Sequence, residues 1–199
     1  MKTFLKSIQD RRSIYALSNA SPISDARIEK LVGEAVKNVP SAFNMQDQRA
    51  VLLFGKDHDK LWSIVLETLR KIVPAASFGK TEAKIKGYAA GHGTVLYFSD
   101  NSIVEGMAKE FPLYAEKFRE WAPHGAGMLQ FAVWNLLESE GLGASLQHYN
   151  PLIDEEVKKT WKLPADWKLI AQMPFGTPTA LPEAKEFDPL EKRFYVFGK

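Results

Sequence analysis

The sequence of 199 residues contains no cysteine, which excludes disulfides, thiolate metal sites, iron–sulfur clusters and cysteine nucleophiles together. Redox chemistry would have to come from a bound cofactor. An excess of one charge is also lacking: 26 basic against 24 acidic residues leave a formal net charge of +2. That is too little for a broad phosphate-backbone footprint, so nucleic acid is not an expected partner. No apolar run approaches the length of a membrane span, and the segment Met1 to Lys6 lacks the apolar core of a signal peptide. No membrane partner and a cytoplasmic location are the expectations. The four histidines, His58, His92, His124 and His148, show no metal-ligand spacing, and no metal is expected. Gly91-His92-Gly93 is too short for a dinucleotide fingerprint and precedes an apolar strand instead of following one. Neither a Ser-His-Asp set nor a carboxylate pair stands out.

What is present suits a single domain over residues 1–199, since 45% hydrophobic residues in a chain of this length can build one sizeable core. Ser24 is a good N-cap, Ile23 can staple against Ile28, and Leu31, Val32, Ala35, Val36 and Val39 continue at helical spacing until Pro40. The run from Gln48 to Gly55 reads as a strand buried on both faces, and Thr94 to Ser99 as a second. Helical patterns lie between them, from about Asp57 to Val73 and Lys80 to Tyr88. A helix enclosed by protein spans Gly125 to Glu140. Ala144 to Gln147 reads as a brief strand, Ile153 to Trp161 as a helix, and Trp167 to Pro174 as another strand. The order implies an α+β sandwich, a sheet flanked by helices. After Phe175 comes a stretch dense in proline and glycine. The alternating tail from Arg193 to Phe197 then needs a sheet to join, its own or a partner's, because an unpaired apolar strand at a chain end invites aggregation.

Three constellations could carry chemistry. Arg11-Arg12-Ser13 follows a short helix with Phe4, Leu5 and Ile8 on one face, and two guanidinium forks beside a hydroxyl can grip a phosphate. Two solvated arginines on a surface turn would look the same. In the loop Pro40 to Gln46, Ser41, Asn44 and Gln46 can offer donors and acceptors to a heteroaromatic edge, or serve as ordinary loop polarity. Arg49 stands among apolar neighbours and needs a partner if buried. The small residues of Gly141 to Ser145, leading into Leu146, Gln147, His148 and Tyr149, allow close backbone approach to a ligand but equally suit a helix end.

In this order and at these separations, RRSIYAL, PSAFNMQDQR, GLGASLQHYNP and the closing FGTPTALPEAKEFDPLEKR resemble the FMN-dependent nitroreductase family, in particular the small branch typified by the fatty-acid repression mutant proteins. The resemblance runs nearly end to end. It implies a nitroreductase-like fold with a mostly antiparallel sheet, a C-terminal strand exchanged between subunits, and a homodimer with flavin mononucleotide (FMN) at its interface. Arg11, Arg12 and Ser13 match the family's phosphate, ribityl and ring-edge contacts. Ser41, Asn44 and Gln46 match a loop that completes the site from the other subunit. Leu146, Gln147, His148 and Tyr149 match the segment beside flavin N5, where backbone groups make the contacts, and Lys185 matches a phosphate-holding residue. The sequence departs from the pattern twice: Tyr15 replaces a lysine near flavin N1 and O2, and Phe187 replaces an arginine. Arg49 or Arg12 could supply the first missing charge, and Arg193 the second.

The resemblance further implies an enzyme with no catalytic side chain of its own, in which NADH or NADPH reduces the flavin and nitroaromatic or quinone-type acceptors reoxidise it by a ping-pong cycle. Trp62, Phe78, Tyr88, Phe111, Tyr114 and Trp121 fall where the family builds its substrate wall, although each is more simply core. Tyr15 also motivates a different reading, a flavin-binding regulatory or sensor protein with little turnover. A structural dimer without cofactor is a third.

Overall fold

The Ser24 hydroxyl accepts the Arg27 N–H at 3.3 Å and starts α2 (Asp25–Asn38), which buries Ile28, Leu31, Val32 and Ala35 along one stripe. Val39, ahead of Pro40, is extended, as the residue before a proline prefers. The structure, a computed structural model, describes residues 2–199. The other helices are α1 (Phe4–Asp10), α3 (Gly55–Arg70), α4 (Ala75–Ala89), α5 (Asn101–Glu110), α6 (Ala115–Ser139) and α7 (Asp154–Trp161). The strands are β1 (Leu17–Ser18), β2 (Gln48–Phe54), β3 (Gly93–Asp100), β4 (Gly143–Ala144) and β5 (Trp167–Pro178).

The sheet runs β1-β5-β3-β2, with β4 also paired to β5, and each of these ladders is antiparallel. Every residue of β3 is buried. Its side chains alternate between two cores, as the two-residue period of a strand requires. Val95 and Tyr97 face α2 and α6, packing with Ile28, Val32, Leu129, Val133 and Leu137. Leu96 and Phe98 face α3, α4 and α7, packing with Leu61, Val65, Ile85 and Val157. In β5 the register slips, so that Tyr97 pairs with Ala171 but Phe98 pairs with Leu169. The extra residue, Ile170, moves Leu169 to the second core while Ala171, Met173 and Phe175 stay in the first, the geometric effect of a β-bulge. Glycines permit the tight strand approach: a Cβ on Gly176 would stand 2.2 Å from the Ser18 carbonyl, and one on Gly93 would stand 2.7 Å from the Phe175 ring.

Four expectations change. The β2 strand is half-buried, not buried on both faces, because it ends the sheet and has a neighbour on one side only. The enclosed helix starts at Ala115, ten residues before Gly125, and runs through Pro123. The carbonyl-to-amide bond lost at proline is offset by burial of Phe118 and Ala122 in the first half of the helix. A further helix, α5, was not expected; the Asp100 carboxylate caps it by accepting the Ser102 N–H at 3.1 Å. The tail from Arg193 to Phe197 forms no strand within the chain, and Phe194, Tyr195, Val196 and Phe197 are exposed. The apolar face of α1 is likewise uncovered at Phe4 and Leu5. No described helix is long and apolar enough to cross a membrane.

Candidate active site

Thr3 caps α1 by accepting the Lys6 N–H at 3.3 Å, and the helix ends where Arg11 donates its N–H to the Ser7 carbonyl at 2.8 Å. The chain then extends: Ser13 bridges to Ala144 and Ile14 donates its N–H to the Ala144 carbonyl at 2.9 Å. Ile14 is buried and Tyr15 is turned outward. Arg11, Arg12 and Ser13 are therefore fixed between the end of α1 and the sheet. The Arg11 guanidinium lies 4.4 Å from the Trp134 ring centre, and Arg12 Nη2 donates to the Glu183 carbonyl at 2.8 Å. Neither arginine pairs with a carboxylate among the described residues. The adjacent Asp10 is taken by Lys2 and Lys6. Desolvation, and secondarily the charge of Arg12, push the Arg11 pKa down. Two adjoining cations, partly desolvated and without a counter-ion, fit an anionic group such as a phosphate.

The segment after α6 runs beside them. Gln147 exchanges backbone hydrogen bonds with Gln172, at 2.7 and 2.9 Å, and Tyr149 N–H donates to Gln172 Oε1 at 2.8 Å. Because strand amides alternate in direction, the N–H groups of Leu146 and His148 point away from β5, and neither has a partner among the described residues. Gln147 is buried with its amide on Ser145 Oγ at 3.0 Å, whereas the His148 side chain is exposed.

A cavity of about 540 Å³ opens here, lined by Tyr15, Ala16, Ala83, Lys84, Gly87, Tyr88 and Gln147. The Tyr88 hydroxyl is buried and has no hydrogen-bond partner among the described residues, and burial pushes its pKa up. Burial also pushes the Tyr149 phenol up, to about 12. An unpaired buried donor beside a cavity, and free backbone N–H groups next to it, match the acceptor-rich edge of a flavin ring. Ser13 and Tyr15 lie two and four residues beyond Arg11, so phosphate and ring features share one extended stretch of about 10–14 Å.

The loop of Ser41, Asn44 and Gln46 lies elsewhere. Phe43, Asn44 and Gln46 all have positive φ, between 52° and 53°, a conformation that costs a bulky residue free energy. The strain is held by packing: the Phe43 ring meets Phe111, Phe118 and Trp121 with centroids 5.3, 5.2 and 6.1 Å away. Ser41 Oγ accepts the Gln46 N–H at 2.9 Å, and Gln48 Nε2 donates to the Pro40 carbonyl at 3.1 Å. Gln48 can do so because Gly125 has no side chain; a Cβ there would stand 2.4 Å from Nε2. The loop thus meets α6 at Phe118 and Trp121, and Arg11 meets the same helix at Trp134. Sixteen residues separate Phe118 from Trp134, about 24 Å of helix. One chain cannot bring the two patches together.

The remaining candidates are scattered. Arg49 is committed internally: Nη2 pairs with Asp100 at 3.0 Å, Nη1 donates to the Gln46 and Gln48 carbonyls at 2.6 and 3.0 Å, and the guanidinium faces Trp167. Lys185 follows Glu183 by two residues, at most about 7 Å of chain from the Arg12 contact, and its Nζ lies 5.0 Å from the Phe187 ring centre. Arg193 is exposed after a short 3₁₀ turn at Leu190–Lys192. Trp62, Phe78 and Tyr88 are core residues, whereas Phe111, Tyr114 and Trp121 gather around Phe43. Sequence reasoning missed Trp134 as the support of Arg11, and it missed Lys84 altogether. The spacing of Lys84 and Tyr88, four apart on one helix, was the available signal. No cluster of metal-ligating residues occurs among the described residues.

The antiparallel sheet flanked by helices defines a mixed α/β fold of the nitroreductase-like class. Residues 8–177 match the sequence profile of the Nitroreductase family, and the chain belongs to that family, whose role is that of an oxidoreductase. It is similar to "Putative nitroreductase HBN1" of Saccharomyces cerevisiae, at 37% identity over 93% of each chain. Among solved structures, the nitroreductase CinD of Lactococcus lactis in complex with 4-nitrophenol has a TM-score of 0.89 at 41% identity, covering 98% of this chain and 100% of that one. A nitroreductase of Desulfitobacterium hafniense with bound FMN shares the fold, with a TM-score of 0.72 at 17% identity over 98% and 99% of the two chains.

Proposed function

We propose that residues 1–199 act as one soluble, cytoplasmic unit that binds FMN as a homodimer and works as an NAD(P)H-dependent reductase of nitroaromatic or quinone-type acceptors. The observation that carries this reading is the pair Arg11 and Arg12, held without a carboxylate partner among the described residues and followed three residues later by Tyr15, which lines the cavity where the Tyr88 hydroxyl is unpaired. When bound, FMN supplies the electron transfer, taking two electrons from NADH or NADPH and passing them to the acceptor in ping-pong alternation. The chain's own residues bind and orient. Arg11, Arg12, Ser13 and Lys185 hold the phosphate end, Tyr15 and Gln147 border the ring, and the Leu146 and His148 N–H groups face its edge, between the side chains of Gln147 and Tyr149.

The separation of about 24 Å along α6 supports the homodimer: with Ser41, Asn44 and Gln46 assigned to the flavin site, they serve the site of a second subunit. The two related structures, one solved with 4-nitrophenol and one with FMN, support the same assignment. The tail from Arg193 to Phe197 and the open edge of β2 both lack a neighbour in one chain, and strand exchange between subunits would satisfy both. The test is the visible spectrum of the purified protein, followed by anaerobic mixing with NADPH. A yellow protein that bleaches rapidly and is reoxidised by menadione supports the reading. A colourless protein that refuses FMN overturns it, and a flavin that stays oxidised over minutes favours the sensor instead.

A further inference from the structure

Lys84 and Tyr88 stand one turn apart on α4 and line the same cavity as Tyr15 and Gln147. The Lys84 ammonium lies 5.9 Å from the centre of the Tyr88 ring and has no carboxylate partner among the described residues. Its neighbour on the helix differs, since Lys86 pairs with Glu82 at 3.0 Å. Other candidate cations are engaged: Arg11 with Trp134, Arg12 with the Glu183 carbonyl, and Arg49, beside the distant loop, with Asp100. Lys84 is therefore an uncommitted positive charge over this cavity.

Tyr88 is the second, independent observation. It lies on the cavity floor with its ring 6.4 Å from that of Tyr15 and 5.0 Å from that of Trp62. Its hydroxyl is buried without a partner among the described residues, an arrangement that costs about 1–3 kcal/mol unless a group accepts its hydrogen bond. Tyr15, which lines the same cavity, is more than half exposed. Two-electron reduction of a flavin with uptake of one proton leaves a net negative charge on the ring, so a fixed cation and a phenol donor favour the reduced form.

We propose that Lys84 and Tyr88 form a charge-compensating wall for the bound flavin ring, supplying from α4 the positive field that Tyr15 cannot supply. The inference rests on the FMN-binding reading above. Lys84 holds its charge toward the ring's electron-rich edge, and Tyr88 donates to it from below. Both are positioning residues for the cofactor's reduced state, and neither transfers a proton in the reaction.

The test is the midpoint potential of the bound flavin, measured by equilibration with reference dyes, in the wild type and in Lys84→Met, Lys84→Arg and Tyr88→Phe. Lys84→Met is expected to weaken the preference for reduced over oxidised FMN about tenfold, a midpoint about 30 mV lower. Lys84→Arg should restore most of the difference. Tyr88→Phe should raise the thermal midpoint of the apoprotein, by removing the unpaired hydroxyl, and shrink the gain in midpoint that FMN confers. An unchanged potential in flavin-loaded Lys84→Met overturns the inference alone. A wild-type protein that binds no FMN overturns the inference together with the reading beneath it.

Discussion

The Arg11 guanidinium carbon lies 4.4 Å from the centre of the Trp134 indole, so the first cation of the candidate phosphate site rests on the enclosed helix α6. A cation over an aromatic face is attracted by the ring's quadrupole. The same contact restrains the long arginine side chain, leaving less freedom to lose when an anion arrives. Trp134 thus supports the guanidinium fork from one side.

Replacing both arginines in Arg11→Ala/Arg12→Ala removes two charge-assisted contacts, each worth about 1.5–3 kcal/mol. FMN affinity should fall by about a hundredfold or more, measured by flavin titration of the apoprotein, with little change in apoprotein melting. Arg11→Lys retains the charge but loses the planar stack and should fall in between. Wild-type flavin content in the purified double variant would remove these residues from the site.

The exposed apolar residues of α1 and α6 bear on the proposed homodimer. Phe4 meets Phe131 edge-on at 6.4 Å, and Met128 and Phe131 are exposed on α6 beside the uncovered Phe4 and Leu5. Such a patch on a monomer marks an interaction surface. Phe131→Glu should shift sedimentation from dimer to monomer while leaving the circular dichroism spectrum unchanged. Flavin should be lost at the same time, because the Ser41 to Gln46 loop then has no partner site. A monomer that retained FMN would contradict the composite site.

Local patterns were legible wherever short-range physics decided the outcome. Ser24, Pro40 and the β3 run follow from capping, proline geometry and strand period. Long-range facts were hidden. Nothing local tells that β2 ends the sheet, so its apolar run reads as doubly buried. Pro123 looks like a helix boundary, and only the packing of Phe118 and Ala122 carries α6 through it. Arg49 carries a charge that looks free until Asp100, 51 residues away, is folded against it. The Arg11 to Ser13 segment was legible as a candidate, but Lys84 was not, because a lysine on an amphipathic helix is ordinarily solvated.

Asp47 offers a test of buried charge next to the candidate loop. Its side chain is fully buried; Oδ2 accepts from Ser99 Oγ at 2.7 Å and Oδ1 has no partner among the described residues. Burial pushes its pKa up from the ordinary carboxylate value. The unfolded chain therefore ionises first, and stability declines as pH rises from the unfolded pKa to the folded one. Asp47→Asn keeps the acceptor for Ser99 and removes the ionisation. It should be about 1 kcal/mol more stable than wild type at pH 7 and indistinguishable near pH 3, by urea denaturation. Equal stability at both pH values would show that the carboxyl is not penalised.

His58 has the opposite sign and lies behind the cavity wall. Trp62 Nε1 donates to Thr94 Oγ1 at 3.0 Å, and His58 Nδ1 lies 2.9 Å from the same oxygen. The threonine hydroxyl then gives its proton to Nδ1, and His58 Nε2–H donates to the Ala89 carbonyl at 3.1 Å. Neutral His58 satisfies every one of these groups; a second ring proton would be placed against Thr94 Oγ1. Burial holds its pKa below the ordinary histidine value. The contribution to stability is fully present above the unfolded pKa and is lost as pH falls through the folded one, since the unfolded chain binds the proton more readily. Wild-type protein should therefore lose stability from pH 7 to pH 5. His58→Gln should be about 1–2 kcal/mol less stable at pH 7.5, through its lost hydrogen bonds, yet show a shallower decline over the same interval. Parallel pH profiles for the two proteins would assign the acid sensitivity to another group. Because Ala89 ends α4, the helix that carries Lys84 and Tyr88, amide exchange in residues 84–89 should quicken in step with that loss.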